Sequence, residues 1–147
     1  MPQRGPTILF VGDVVGATGR RLLLALLPQL REAHAPDFVV VNGENAAGGV
    51  GITPKIADEL FAHGVDVITL GNHAYRQRAI YDYLDRHERI LRPANFLRNQ
   101  PGRGHCVVAR DGVRLGVVNL SGNLFMRAGR PAFAEADAEP EIGRAHV

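Results

Sequence analysis

Short apolar runs alternate with longer amphipathic ones along the first two thirds of the chain. "TILFVGD", residues 7–13, is an apolar run closed by Gly12-Asp13 and predicts a buried strand. "TGRRLLLALLPQLREAH" follows with leucines at 22, 23, 24, 26, 27 and 30. It predicts a helix with a wide apolar face, capped by Thr18 and bent or weakened near Pro28. "DFVVVNG" predicts a second strand. Thr53-Pro54 caps and opens a second helix, which should end at Gly64 as a C-terminal glycine cap. "VDVITLGNH" predicts a third strand and "RQRAIYDYLDRH" a third helix. Strand and helix alternating at this spacing imply crossover connections and a parallel sheet.

Beyond about residue 103 the pattern changes. "GHCVVARDGVRLGVVNL" is two apolar runs joined by Asp111-Gly112, a favoured hairpin turn. The expected fold class is therefore α/β, a parallel βαβαβα start followed by an antiparallel hairpin. The final stretch, "GRPAFAEADAEPEIGRAHV", is rich in Ala and Glu and predicts no closing strand or helix. Its last seven residues, 141–147, could be encoded by read-through of a common sequencing adapter, the alternative being a natural frayed terminus. They are expected to be a non-native tail behind a domain at residues 1–140, so that His146 carries no function.

Composition narrows the functional classes. At 147 residues, with 46% hydrophobic and 22% charged residues, the chain is about one soluble domain with its own core. A net charge of +2 is too small to argue for a nucleic-acid partner. Sixteen arginines face a single lysine, Lys55, but they form no block. Cys106 is the only cysteine, so no intramolecular disulfide can form. No apolar run reaches the length of a membrane span and the N-terminus has no leader pattern, so a cytoplasmic location is expected.

Three polar clusters fall where the three predicted parallel strands end: Asp13, then Glu44 with Asn45, then Asn72 with His73. That edge of an open α/β sheet is where ligands bind. Each cluster has a structural alternative. Asp13 could cap the first helix, Asn45 could fix the glycine-rich turn, and Asn72-His73 could cap the third helix. One shared site needs fewer coincidences than three such alternatives on one edge. Carboxylate, carboxamide and imidazole suit manganese, iron, zinc or magnesium. A carboxylate can bridge two ions, and a pair about 3.5–4 Å apart can polarise a phosphoryl group.

"GDVVG", "NGENAAGG" and "TLGNH", in this order, resemble the YmdB-like branch of calcineurin-type metallophosphoesterases, from about Thr7 to "VVNLSGNLFM". The resemblance implies an α/β sandwich of two sheets between helical layers. It implies a phosphodiesterase acting on 2′,3′-cyclic nucleotides with a pair of iron or manganese ions. Asp13 would ligate the first metal, Glu44 would bridge both, Asn45 would assist at the first and Asn72 would ligate the second. His73 would donate the proton to the leaving oxygen.

Three departures stand out. Val15 occupies the place of a histidine found in ordinary calcineurin-type enzymes, a histidine that the branch also lacks. Ala74-Tyr75-Arg76 replaces the branch's usual tryptophan and acid. The later "HAE"-like and "THTH"-like histidine segments do not occur, so the chain is expected to be an incomplete, inactive fragment. His34, His63 and His87 are expected at helix ends and His105 at the start of the hairpin. Arg20 and Arg21 could contact an anion near the phosphate site but are expected to be solvated, and Tyr75, Tyr81 and Tyr83 either to stack on a base or to pack. The rival readings are a non-catalytic nucleotide- or phosphate-binding module and a regulatory scaffold. The expected partner is a small-molecule phosphodiester, with no membrane contact and homo-oligomerisation left open.

Overall fold

The computed structural model of the protein describes residues 5–124, 126 and 129–138. Four strands, β1 (Ile8–Val11), β2 (Phe38–Asn42), β3 (Val67–Thr69) and β4 (Ile90–Leu91), form a parallel sheet in the order β1-β2-β3-β4. The register places Phe10 beside Val40, Val40 beside Val67 and Ile68 beside Ile90. β2 is apolar throughout and Phe38–Val41 are buried, as a central parallel strand requires. β1 lies at the edge. Its Leu9 and Val11 pack on the core, whereas Ile8 is 47% and Phe10 61% exposed, so only one face of this predicted buried strand is covered. β4 was not expected, because two residues are too few to display a period.

Helix α1 (Gly16–His34) begins three residues earlier than a Thr18 cap suggested, with Val15 at the cap and no capping side chain. A backbone bond replaces the cap: the Gly16 N–H donates to the Asn45 carbonyl at 2.9 Å. Pro28 sits inside α1, which continues through it to His34. Leu23 and Leu27 are buried while Leu22 and Leu26 are exposed, so the covered stripe is narrower than the apolar pattern. Helix α2 (Pro54–Ala62) starts as expected, with Thr53 Oγ1 accepting from the Ile56 N–H, and Gly64 follows its end at φ +88°. A 3₁₀ turn at Arg78–Ile80 runs into α3 (Tyr81–Arg86). These three helices cover one sheet face, packing Leu23, Leu27, Leu60 and Leu84 against Val39, Val41, Ile68 and Ile90.

The opposite face, Val40, Val67 and Leu91, receives an antiparallel hairpin of β5 (His105–Arg110) and β6 (Val113–Val118) through Cys106, Val108, Leu115 and Val117. Asp111 and Gly112 both have positive φ, the geometry of the predicted two-residue turn. The hairpin is pinned at both edges of the sheet. Arg110 pairs with buried Asp66 at 2.5 Å, and the Asn119 amide donates to the Leu70 and Leu91 carbonyls at 2.5 and 2.9 Å. A groove of about 520 Å³, bordered by Ile8, Phe10, Leu115 and Val117, separates the hairpin from β1.

A short helix, α4 (Ala132–Ala138), occupies the stretch for which no element was predicted. Its one buried residue is Glu135, paired with Arg130 at 2.7 Å, so no apolar stripe could announce it. Residues 141–147, read as a non-native tail, lie outside the described residues. The whole is an α/β sandwich of helices, parallel sheet and hairpin.

Candidate metal centre and active site

Loops leaving β1, β2 and β3 at their carboxyl ends meet at one place. The Val14 N–H donates to the Asn42 carbonyl at 3.1 Å and the Gly43 N–H to the Thr69 carbonyl at 3.0 Å, tying each loop root to its neighbour strand. The loop after β2 folds on itself, with Ala47 N–H bonded to the Gly51 carbonyl at 2.8 Å. Arg20 of α1 fastens this loop through the Ala46 carbonyl and lies 3.7 Å from Glu59 of α2. Arg20 is thus a partly buried strut and not the solvated residue expected, whereas Arg21 is exposed. The Gln77 amide closes the far side by donating to the Val50 carbonyl at 2.9 Å.

Within this frame Asp13, Asn45 and His73 form a hydrogen-bonded chain. Asn45 Nδ2 stands 2.9 Å from both carboxylate oxygens of Asp13, and His73 Nδ1 stands 2.5 Å from Asn45 Oδ1. A carboxylate only accepts, so the Asn45 amide presents its nitrogen to Asp13 and its oxygen to His73. His73 must then carry its hydrogen on Nδ1, which leaves Nε2 as the ring nitrogen turned to other chemistry. Glu44 joins the group through the His73 N–H, 3.4 Å from Oε2. Its carboxylate lies against Gly71, where an added Cβ would overlap both Oε1 and Oε2. Only glycine leaves that space.

The capping alternatives fail on this geometry. Asp13 caps nothing in α1, and the 3₁₀ turn begins after Gln77, well beyond Asn72-His73. The Asn45 side chain serves Asp13 and His73 and takes no part in holding its own turn. Asn72 is exposed on the same loop as His73. Among the described residues no three His, Cys, Asp or Glu side chains form a metal cluster. The oxygen donors nevertheless fit part of a hard-metal sphere: two carboxylates and two carboxamides at one edge, with the Glu44 carboxylate seated in a glycine-sized recess.

The remaining candidates have structural positions. His34 ends α1, His63 caps α2 with Nδ1 2.8 Å from the Glu59 carbonyl, and His87 stacks on Tyr83 at 3.7 Å after α3. His105 opens β5. Tyr75 meets Tyr81 edge-on at 5.5 Å, and its hydroxyl donates to the Pro101 carbonyl at 2.8 Å. Burial pushes that hydroxyl up to about 12, so it remains a proton donor at neutral pH. Tyr83 donates to Asp58 at 2.6 Å. Asn119 is engaged as the hairpin's tie to the Leu70 and Leu91 carbonyls. Gly71 and Arg20 are the structural neighbours of these loops that the sequence reading did not single out as supports; Gly71 lies inside "TLGNH", so its signal was present but unweighed.

Residues 9–144 match the family model described as YmdB-like protein. The chain belongs to the YmdB-like family. It is 42% identical over 130 residues to the 2′,3′-cyclic-nucleotide 2′-phosphodiesterase of Bacillus subtilis, covering 88% of this chain and 49% of that protein. The crystal structure of a hypothetical protein from Thermus thermophilus superposes with a TM-score of 0.83 at 35% identity, covering 91% of this chain and 52% of the other. A novel phosphatase from Mycoplasma pneumoniae gives 0.82 at 27% identity, covering 94% and 52%. The YmdB-like chain thus spans about half the length of the curated relatives it matches.

Proposed function

We propose that these residues are one half of the site of a metal-dependent phosphodiesterase acting on 2′,3′-cyclic nucleotides. Similarity to the Bacillus subtilis phosphodiesterase supports the reaction class. The observation that carries the reading is the convergence of Asp13, Asn45 and His73 in one hydrogen-bonded chain beside the recessed Glu44. Asp13, Glu44, Asn45 and Asn72 would hold a pair of iron or manganese ions, with Glu44 shared between them. Such ions supply charge to polarise the phosphoryl group and acidify water.

The chain's own residues do the rest. Asn45 fixes the His73 ring by accepting from Nδ1 and is itself oriented by Asp13. His73 Nε2, in the protonated ring, donates its proton to the leaving ribose oxygen as the phosphorus–oxygen bond breaks. Arg20 holds the glycine-rich loop and Gly71 keeps the Glu44 carboxylate at the strand edge. The donors on these three loops cannot surround two ions, so the 147-residue chain alone should turn over little or no substrate.

The test is hydrolysis of 2′,3′-cyclic AMP by the gene product read on past codon 140. Turnover is expected there, with a loss of about a hundredfold or more in kcat for His73→Ala. Undiminished turnover in His73→Ala would remove His73 from the chemistry. Tight nucleotide binding without hydrolysis would favour a non-catalytic module.

A further inference from the structure

The strand β4 leads straight into Arg92, which is only 6% exposed. A guanidinium cannot discharge itself, so burying one without a counter-ion is strongly unfavourable. Arg92 makes no ion pair among the described residues. Its Nη1 donates to the Pro93 and Ala94 carbonyls at 2.8 and 3.4 Å, and its Nε is buried with no partner. Arg130 repeats the pattern on the facing segment. Its Nη2 serves Glu135 at 2.7 Å and the Ala94 carbonyl at 2.8 Å, while its Nε is likewise buried and unpartnered.

Both arginines line one cavity of about 370 Å³, together with Arg98, Arg103 and Glu135. Of the four guanidinium groups there, Arg130 pairs with Glu135 and Arg103 with Glu88, while Arg92 and Arg98 make no ion pair among the described residues. The larger cavity at the other sheet edge, about 660 Å³, shares Arg103 and sets Arg86, Arg89, Arg103 and Arg110 against two carboxylates, Asp66 and Glu88. Its Arg110 and Arg103 are matched by Asp66 at 2.5 Å and Glu88 at 3.1 Å. None of Asp13, Glu44, Asn45, Asn72 or His73 lines the smaller cavity.

We infer that the cavity around Arg92 is a binding site for a phosphate-class oxyanion, either inorganic phosphate or the phosphomonoester of a small molecule. A planar carboxylate is saturated by one forked guanidinium, whereas a tetrahedral oxyanion takes donors from several directions, as Arg92, Arg98 and Arg103 of the β4–β5 connection provide together with Arg130. Arg92 and Arg130 supply the buried donors, and Arg98 and Arg103 close the exposed side. This inference does not depend on the phosphodiesterase reading.

The experiment is calorimetric titration of the metal-free 147-residue Glu44→Gln chain, in chelator, with inorganic phosphate and separately with 3′-AMP. The substitution and chelator silence the strand-edge site. Arg92→Met in this background is expected to weaken binding about tenfold or more, and Arg98→Ala, at an exposed position, about threefold. Arg21→Ala on α1 should leave it unchanged. Tighter binding of 3′-AMP identifies the phosphomonoester as the ligand, and equal or weaker binding identifies phosphate. A second readout guards against misfolding: Arg92→Met should melt no lower than its parent in phosphate-free buffer, because it removes an unanswered buried charge. No binding of either probe, or binding unchanged in both Arg92→Met and Arg98→Ala, overturns the inference.

Discussion

At the Glu44 carboxylate, the neighbouring residue is as informative as the acid itself. A Cβ at Gly71 would overlap both carboxylate oxygens, and these are the far end of a flexible side chain. Gly71→Ala should therefore displace Glu44 without unfolding the protein, at a stability cost within about 1 kcal/mol by thermal melting. Manganese titration of the gene product read on past codon 140 should show affinity reduced about tenfold or more, the range seen when metal-supporting neighbours are lost. Unchanged affinity would mean that the recess does not position the acid. The five candidate residues could be singled out in the sequence because carboxylate, carboxamide and imidazole are costly at strand ends unless partnered. Arg20 could not. Its side chain joins α1 to a loop more than twenty residues away in sequence, and no local pattern encodes that partner.

Among the elements, the hairpin owes its placement to two polar ties more than to its turn. Asn119 supplies one of them by satisfying the last carbonyls of β3 and β4. Asn119→Ala strands the Leu70 carbonyl, while the Leu91 carbonyl keeps the Leu70 N–H, and should cost about 2 kcal/mol in urea unfolding, with amide exchange rising first in β5 and β6. Arg114→Ala, at an exposed hairpin position, should change stability by about 0.5 kcal/mol or less. A loss in Asn119→Ala no greater than that in Arg114→Ala would show that apolar contact alone holds the hairpin. Three strands and the hairpin could be read directly, because β-branched runs bounded by glycine or by Asp-Gly state their own limits. β4 and α4 could not. Ile90–Leu91 is too short for a period, and α4 turns a glutamate inward where an apolar residue would have revealed it. The start of α1 shifted because a backbone bond from Gly16 does the work assigned to Thr18.

Across the whole molecule, one face of the sheet is finished and the other is not. Helices cover Leu9, Val11 and β2–β4 on one side, while Ile8 and Phe10 of β1 face an open groove beyond the hairpin. That unevenness accords with a chain that spans about half of its relatives, and it matches a site whose donors come from only three loops. The central claim is that Glu44 holds metal at the strand edge for phosphodiester chemistry. Metal content of the gene product read on past codon 140, purified with iron or manganese present, tests it most directly. The account predicts about two ions per chain in the parent and their loss in Glu44→Gln, with the fold unchanged by circular dichroism. A Glu44→Gln protein that retains its full metal content would contradict it.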